Sequence, residues 1–172
     1  MEIWDVYDKN REKTGRTHIR GEKMADGGYI VIVMVLIFDT KGRMLMQQRN
    51  DHLKWAPGMF TMTAGGAMQA GETSAEAAAR ELFEELGITM QFDGRPQFSM
   101  TNSTAFMDYF LITSDIDIDE IKMPTDEVKS VRWASKDEII KMINNGECVP
   151  YRKSFLSFCF DMGRKYGLTD WD

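Results

Sequence analysis

Along most of this chain apolar residues alternate with polar ones or gather in short runs; in three places they take up a helical period. The longest unbroken apolar run is YIVIVMVLIF, residues 29–38. It is rich in β-branched residues and too short to cross a bilayer as a helix, so it predicts a strand buried on both faces. DTKG interrupts it, and RMLMQQR (43–49) follows as its hairpin partner. Upstream, EIWDVYD and RTHIRGE flank the polar stretch KNREKTG and predict a first hairpin within residues 1–24. TMTA (61–64) reads as a short strand leading into Gly65 and Gly66, and QFSMT, AFMDYFLIT and EVKSVRW as three more.

Residues 73–86 predict a helix. Thr73 and Glu76 have capping-box spacing, alanine and leucine fill the interior, and Gly87 is placed to end it in a left-handed cap. Ser135 and Glu138 cap a second helix ending before Gly146. A third, over about residues 150–167, carries Phe155, Phe158, Cys159, Met162 and Tyr166 on one stripe. No repeat or long linker divides the 172 residues. The expectation is one α/β domain spanning 1–172, a mixed β-sheet flanked by helices.

Composition narrows the function classes. Lys and Arg total 21 against 27 Asp and Glu, for a net charge of −6, which argues against a nucleic-acid-binding protein. The N-terminus is polar and lacks the apolar core of a signal peptide, so a soluble, cytoplasmic protein with no membrane partner is expected. Cys148 and Cys159 have neither CxxC nor zinc-ligand spacing and read as reduced thiols. The 14 methionines read as core gap-fillers, with an adaptable pocket as the alternative.

The middle helix carries the unusual chemistry. At about 100° per residue, Glu84 and Glu85 fall within roughly 60° of Glu81. Ala75, Ala79, Leu82, Phe83 and Leu86 share another arc, expected to pack on the core. Like charges at this spacing repel, and they occupy the half of the helix where its dipole disfavours anions. Ala77 and Ala78, on the acidic side, leave room for something to approach. A hard divalent ion accounts for the arrangement, but geometry alone leaves a solvated Glu-rich face equally open.

The surrounding spacing decides. Gly66, five residues, Glu72, seven residues, then Arg80-Glu81-Leu82-Phe83-Glu84-Glu85-Leu86-Gly87-Ile88 matches every fixed position of the Nudix box. A chance match in a chain of this length is on the order of 10⁻⁷ at background residue frequencies. The chain thus resembles the Nudix hydrolase superfamily, which implies an α/β/α sandwich and hydrolysis of a phosphoanhydride in a nucleoside diphosphate linked to another moiety. The resemblance implies Mg²⁺ or Mn²⁺ held by Glu81, Glu84, Glu85 and the Gly65 carbonyl, with Arg80 bracing acidic side chains, either Glu72 or Glu84. A box glutamate or a later acid serves as the base. The later candidate is Glu127, whose other reading is a solvated strand-end carboxylate; Asp126 is a weaker one. Asp115, Asp117 and Asp119 open with the spacing of a calcium loop, but Glu120 stands where such a loop needs glycine.

The flanks WDVYDKNREKTGRTHIRGE, GRMLMQQR and MFTMTAGGA also resemble the isopentenyl-diphosphate isomerase-like branch. The isomerase needs a cysteine and a histidine just ahead of its box; Gly65 and Ala67 stand there instead. ADGGY replaces an expected N-terminal metal histidine, and the only histidines, His18 and His52, read as surface residues. Hydrolysis is therefore favoured over isomerisation, and over a non-catalytic ligand-sensing module, whose boxes are often damaged. Among Tyr29, Trp55, Phe60, Phe98, Phe106 and Tyr109, Trp55 is the foremost aromatic to contact a small-molecule substrate. A homodimer is compatible with the resemblance but not required by any residue.

Overall fold

The computed structural model describes residues 2–164. Among the described residues nine strands and three α-helices follow one another: β1 (Ile3–Tyr7), β2 (Lys13–Ile19), β3 (Ile30–Phe38), β4 (Met44–Arg49), β5 (Phe60–Thr61), β6 (Ala64–Ala67), α1 (Ser74–Leu86), β7 (Phe98–Thr101), β8 (Ala105–Thr113), β9 (Val128–Ala134), α2 (Lys136–Asn144) and α3 (Lys153–Arg164). β1 and β2 form their own antiparallel hairpin; the other seven strands make one mixed sheet flanked by helices. The expected elements are present with one exception: TMTA is not a single strand, because Thr61 ends β5, Met62 and Thr63 turn the chain, and Ala64 begins β6. The C-terminal helix begins at Lys153 rather than near Pro150, and its expected end near residue 167, with Tyr166, lies outside the described residues.

The expected β3–β4 hairpin opens at once. Only Phe38 and Met44 pair across it. Beyond that point β3 pairs with β6 and, in parallel over its full length, with β8, while β4 pairs with β5 and β9. Thr63 bridges the divergence: its buried hydroxyl accepts from Ile37 N at 2.9 Å and donates to Leu45 O at 2.6 Å. The splay has a consequence for burial. The second half of β3 is buried throughout, but Ile30, Ile32 and Met34 in its first half are only half-buried, because they face a cavity.

Two core clusters lie on opposite sides of the sheet. One joins Val31, Val33 and Val35 to Ala77, Ala78, Leu82 and Leu86 of α1. The other joins Leu36, Met44 and Met46 to α2 and α3 through Ile139, Leu156 and Cys159. Complete burial of Leu82 and Leu86 contributes roughly 1.5–3 kcal/mol each. The α3 stripe differs from expectation. Leu156, Cys159 and Phe160 are its buried residues, whereas Phe158 is 44% exposed. Phe155 and Phe158 instead meet the ring of Phe98 at the sheet edge.

The hairpin, sheet and α1 are tied together at Asp108. This fully buried β8 carboxylate accepts from Arg11 of the hairpin turn, Ser74 at the start of α1, and Ser99 of β7. Burial pushes its pKa up, but the Arg11, Ser74 and Ser99 hydrogen bonds outweigh that and hold it below its usual 3.8. A depressed carboxylate pKa stabilises the fold above the unfolded value and stops doing so as pH falls through the folded one. Asp108→Ala should cost about 2–3 kcal/mol at neutral pH by leaving three donors without their acceptor. In urea titrations across pH, the gap between variant and wild type should narrow below pH ~4. A gap that stays constant would show that the carboxylate's charge contributes nothing.

Candidate active site

The site is built where α1 crosses the open end of the splay. The helix starts as expected: Thr73 and Glu76 form a reciprocal capping box, and Gly87 closes the helix at φ 68°. Which face it buries differs from expectation. Ala77 and Ala78 are fully buried, whereas Phe83 is 54% exposed. The core-facing arc is rotated by about a quarter turn toward the carboxylates. Small alanines let α1 approach β6 and β3 closely, so Glu81 and Glu85 point inward, between strands, rather than away from the core.

Glu85 is 4% exposed. Its Oε2 accepts from Gly65 N at 3.1 Å and from Gln47 Nε2 at 2.9 Å. Burial, followed by the charge of Glu81, pushes its pKa up to about 8. Burial also raises that of Glu81, against the hydrogen bond from Arg80. Arg80 bonds Glu72 bidentately, through Nε to Oε1 at 2.7 Å and Nη2 to Oε2 at 3.0 Å. Its Nη1 reaches Glu81 at 2.7 Å and Glu84 at 3.1 Å, and Nη2 also donates to Ala67 O. The expected choice between Glu72 and Glu84 is resolved as both, with Glu81 added.

Gly66 explains itself sterically. A Cβ there would lie 2.3 Å from Glu81 Oε1, and Arg80 holds that carboxylate in place. Gly66→Ala should therefore fold, with about 1 kcal/mol lost at most because only a side-chain tip must move, yet lose roughly tenfold or more in kcat. A calorimetric melt alongside steady-state rates checks both halves of this expectation. At Gly65 a Cβ would meet Met34 Sδ and the Val33 carbonyl, each at 2.7 Å.

Gly65, Glu81, Glu84, Glu85 and Glu127 all line one cavity of about 770 Å³. Arg80 stands behind its carboxylates. Asp126 stays outside, facing His52 at 3.7 Å. Trp55 and Tyr109 line the cavity, but Tyr29, Phe60, Phe98 and Phe106 do not. Methionine serves both expected roles: Met44 and Met46 fill the core, while Met34 and Met107 line the cavity. His18 is a correction, since it is only 9% exposed and packs against Trp4 with ring centroids 5.6 Å apart. Its neighbours in β2 are exposed, which gave the strand a surface look. Asp115 accepts from Thr40, and Asp117 caps the short 3-10 turn Ile118–Glu120. Both cysteines are free and buried away from the cavity, and burial pushes each thiol up to about 12.

Sequence reasoning missed Trp4, Arg20, Gln47, Arg49 and Tyr151, which also line the cavity. Gln47 left a signal, as a polar residue inside an otherwise apolar strand. Trp4 and Arg20 left none, because only folding brings the hairpin to the site.

Among the described residues, no three His, Cys, Asp or Glu side chains are gathered as a ready-made metal cage. The arrangement shows why: Glu81 and Glu84 are turned onto Arg80, and Glu85 onto Gly65 and Gln47. The donor chemistry nevertheless suits a hard cation. Two largely buried carboxylates repel each other, both with raised pKa, and a third lies one turn away.

The NUDIX domain family matches residues 28–153. A protein of Listeria monocytogenes, described as an uncharacterized Nudix hydrolase, is 39% identical over 94% of this chain and 95% of its own length. The chain belongs to the Nudix hydrolase family. Among solved structures, a Deinococcus radiodurans protein superposes with a TM-score of 0.75 at 22% identity, covering 92% of this Nudix chain and 99% of its own. A MutT protein of Methanosarcina mazei gives 0.60 at 26% identity, covering 80% and 96%. No helix among the described residues of this Nudix hydrolase is long and apolar enough to cross a membrane.

Proposed function

We propose that this Nudix hydrolase is a pyrophosphohydrolase dependent on Mg²⁺ or Mn²⁺, cleaving a phosphoanhydride in a nucleoside diphosphate linked to another moiety. The observation that carries the reading is the meeting of Glu81, Glu84, Glu85 and Glu127 with Gly65 on one cavity. Glu81, Glu84, Glu85 and the Gly65 carbonyl would hold the ion. Bound there, a divalent cation supplies charge neutralisation for the diphosphate and acidifies water. Arg80 keeps Glu81 and Glu84 from swinging away, a positioning role. Gln47 and Gly65 N both bond Oε2 of Glu85, which leaves Oε1 for the cavity.

Glu127 is the proposed base. It enters from the head of β9, its backbone carbonyl accepting from Asn50 N at 2.8 Å, and none of the described side chains bonds its carboxylate. Glu81 is the other candidate, but its Oε1 is engaged by Arg80. Glu127→Gln should lower kcat by about 100-fold with little change in KM. If Glu127→Gln turns over normally and Glu81→Gln does not, the role passes to Glu81.

The flanks resemble isopentenyl-diphosphate isomerase-like proteins in sequence, but hydrolysis is the reading that the site's residues support. Position 65 has no space for a cysteine side chain beside Met34, and neither existing cysteine reaches the cavity. Metal-dependent release of a nucleoside monophosphate from a panel of nucleoside diphosphate derivatives tests the proposal. Binding without turnover would point to a sensing module instead, and solvent deuterium entering isopentenyl diphosphate to an isomerase.

A further inference from the structure

One large aromatic side chain stands at the rim of the cavity instead of inside it. Among the described residues the exposed large hydrophobics are Ile3, Trp55, Phe83, Met100 and Phe158. Trp55 is the most exposed of them, at 58%, and the only one that lines the cavity. A single exposed aromatic is ordinary on a protein surface. This one is held in place. The Arg49 guanidinium stands over the indole, 5.0 Å from its centroid, and Arg49 Nε donates to the Trp55 carbonyl at 2.9 Å.

The segment that carries Trp55 is the second observation. Residues 50–59 are pinned at both ends. Gln48 Nε2 donates to Gly58 O and Arg49 N to Met59 O, each at 2.9 Å. Asn50 donates to the backbone carbonyls of Glu127 and Asp126, at 2.8 and 2.9 Å, which ties this segment to the proposed base. Ala56, next to Trp55, has φ 47°, a left-handed conformation that residues with a Cβ seldom adopt. Such strain persists only where the surroundings impose it, and it concentrates at functional sites. The rim also selects by chemistry. A hydrocarbon chain gains most when it is fully buried, so it would be drawn inward to Ile30, Ile32, Met34 and Met107. A flat ring with polar edge atoms suits the rim, because its face is desolvated on the indole while its edge stays in water.

We infer that Trp55 is the platform on which the substrate's nucleobase stacks, with Arg49 backing the indole. This rests on the phosphoanhydride reading above and narrows it: the carboxylate end takes the diphosphate, and Trp55 selects for a ring beyond it. Adenosine 5′-(α,β-methylene)diphosphate, which resists hydrolysis, probes the site in the presence of Mg²⁺. Its affinity should fall about tenfold or more in Trp55→Ala and less than about threefold in Trp55→Phe. Methylenediphosphonate has the anion without base or sugar, and its affinity should stay within about twofold in both variants. The melting temperature should hardly move, because the side chain is exposed. An equal fall for both probes, no fall for either, or no binding of the nucleotide probe to wild type overturns the inference.

Kinetics supply a second readout. On any nucleoside diphosphate derivative that is turned over, the Trp55→Ala defect should lie in KM, since the ring is remote from the bond that breaks. A defect confined to kcat overturns the inference. If nucleotide binding depends on Trp55 but no diphosphate is hydrolysed, the catalytic reading fails and the ring site stands. If hydrolysis proceeds while Trp55→Ala binds the nucleotide probe as tightly as wild type, the ring site fails and the catalytic reading stands.

Discussion

Glu85→Gln is expected to reduce turnover by more than about 100-fold while leaving the protein folded. Loss of a residue that merely orients a metal ligand costs about 10–100-fold, so loss of Glu85, a proposed ligand, should exceed that. The fold should survive because the glutamine amide matches the carboxylate in shape. Its oxygen can still accept from Gly65 N and from Gln47. The substitution also removes a buried carboxylate whose ionisation is made costly by burial and by the charge of Glu81. The melting temperature without added metal should thus equal or exceed that of wild type. With Mg²⁺ or Mn²⁺ added, wild type should gain stability by mass action and the variant should gain far less. Steady-state rates and melts with and without metal measure all of this. Wild-type activity in the variant would remove Glu85 from the site.

Arg80→Ala should fail differently, losing stability and activity together. The guanidinium is about one-fifth exposed and serves Glu72, Glu81, Glu84 and the Ala67 carbonyl at once. Without it, Glu81 and Glu72 remain as poorly hydrated carboxylates with no cation. Breaking a fully buried pair costs about 3–5 kcal/mol, and partial exposure here reduces that to roughly 2–3 kcal/mol. For a chain of this size the melting temperature should drop by roughly 4–12 °C. Arg80→Lys should recover only part of the loss, because a point charge cannot bond Glu72 bidentately and still reach Glu81 and Glu84. If Arg80→Lys restores full activity, charge alone suffices and the fork geometry is irrelevant.

The two substitutions separate the parts of the site. Glu85 is oriented by neutral donors, Gln47 and a backbone N–H, whereas Glu81 and Glu84 are oriented by a cation. Arg80 engages one oxygen each of Glu81 and Glu84, so a cation held by the proposed ligands would compete with a salt bridge at those two and not at Glu85.

Spacing along the chain was enough to place α1, its caps and the acidic cluster. A capping box, a helical period and a box glycine are local patterns, and local patterns fix local structure. The same spacing fixed the identity of the carboxylates and of Gly66. It could not say which face of α1 is buried. Ala77 and Ala78 carry little hydrophobicity, so a sequence reading weights Phe83 and Leu86 above them. Close packing reverses that, because small side chains let a helix approach a sheet. The tertiary structure alone decided that Glu81 and Glu85 point inward, through a gap opened when β3 and β4 part after one pair. Strand pairing of that kind depends on contacts between residues far apart in sequence. The roles of Asp108 and Gln47 have the same origin: Arg11, 97 residues from Asp108, and Glu85, 38 residues from Gln47, come within reach only in the folded chain.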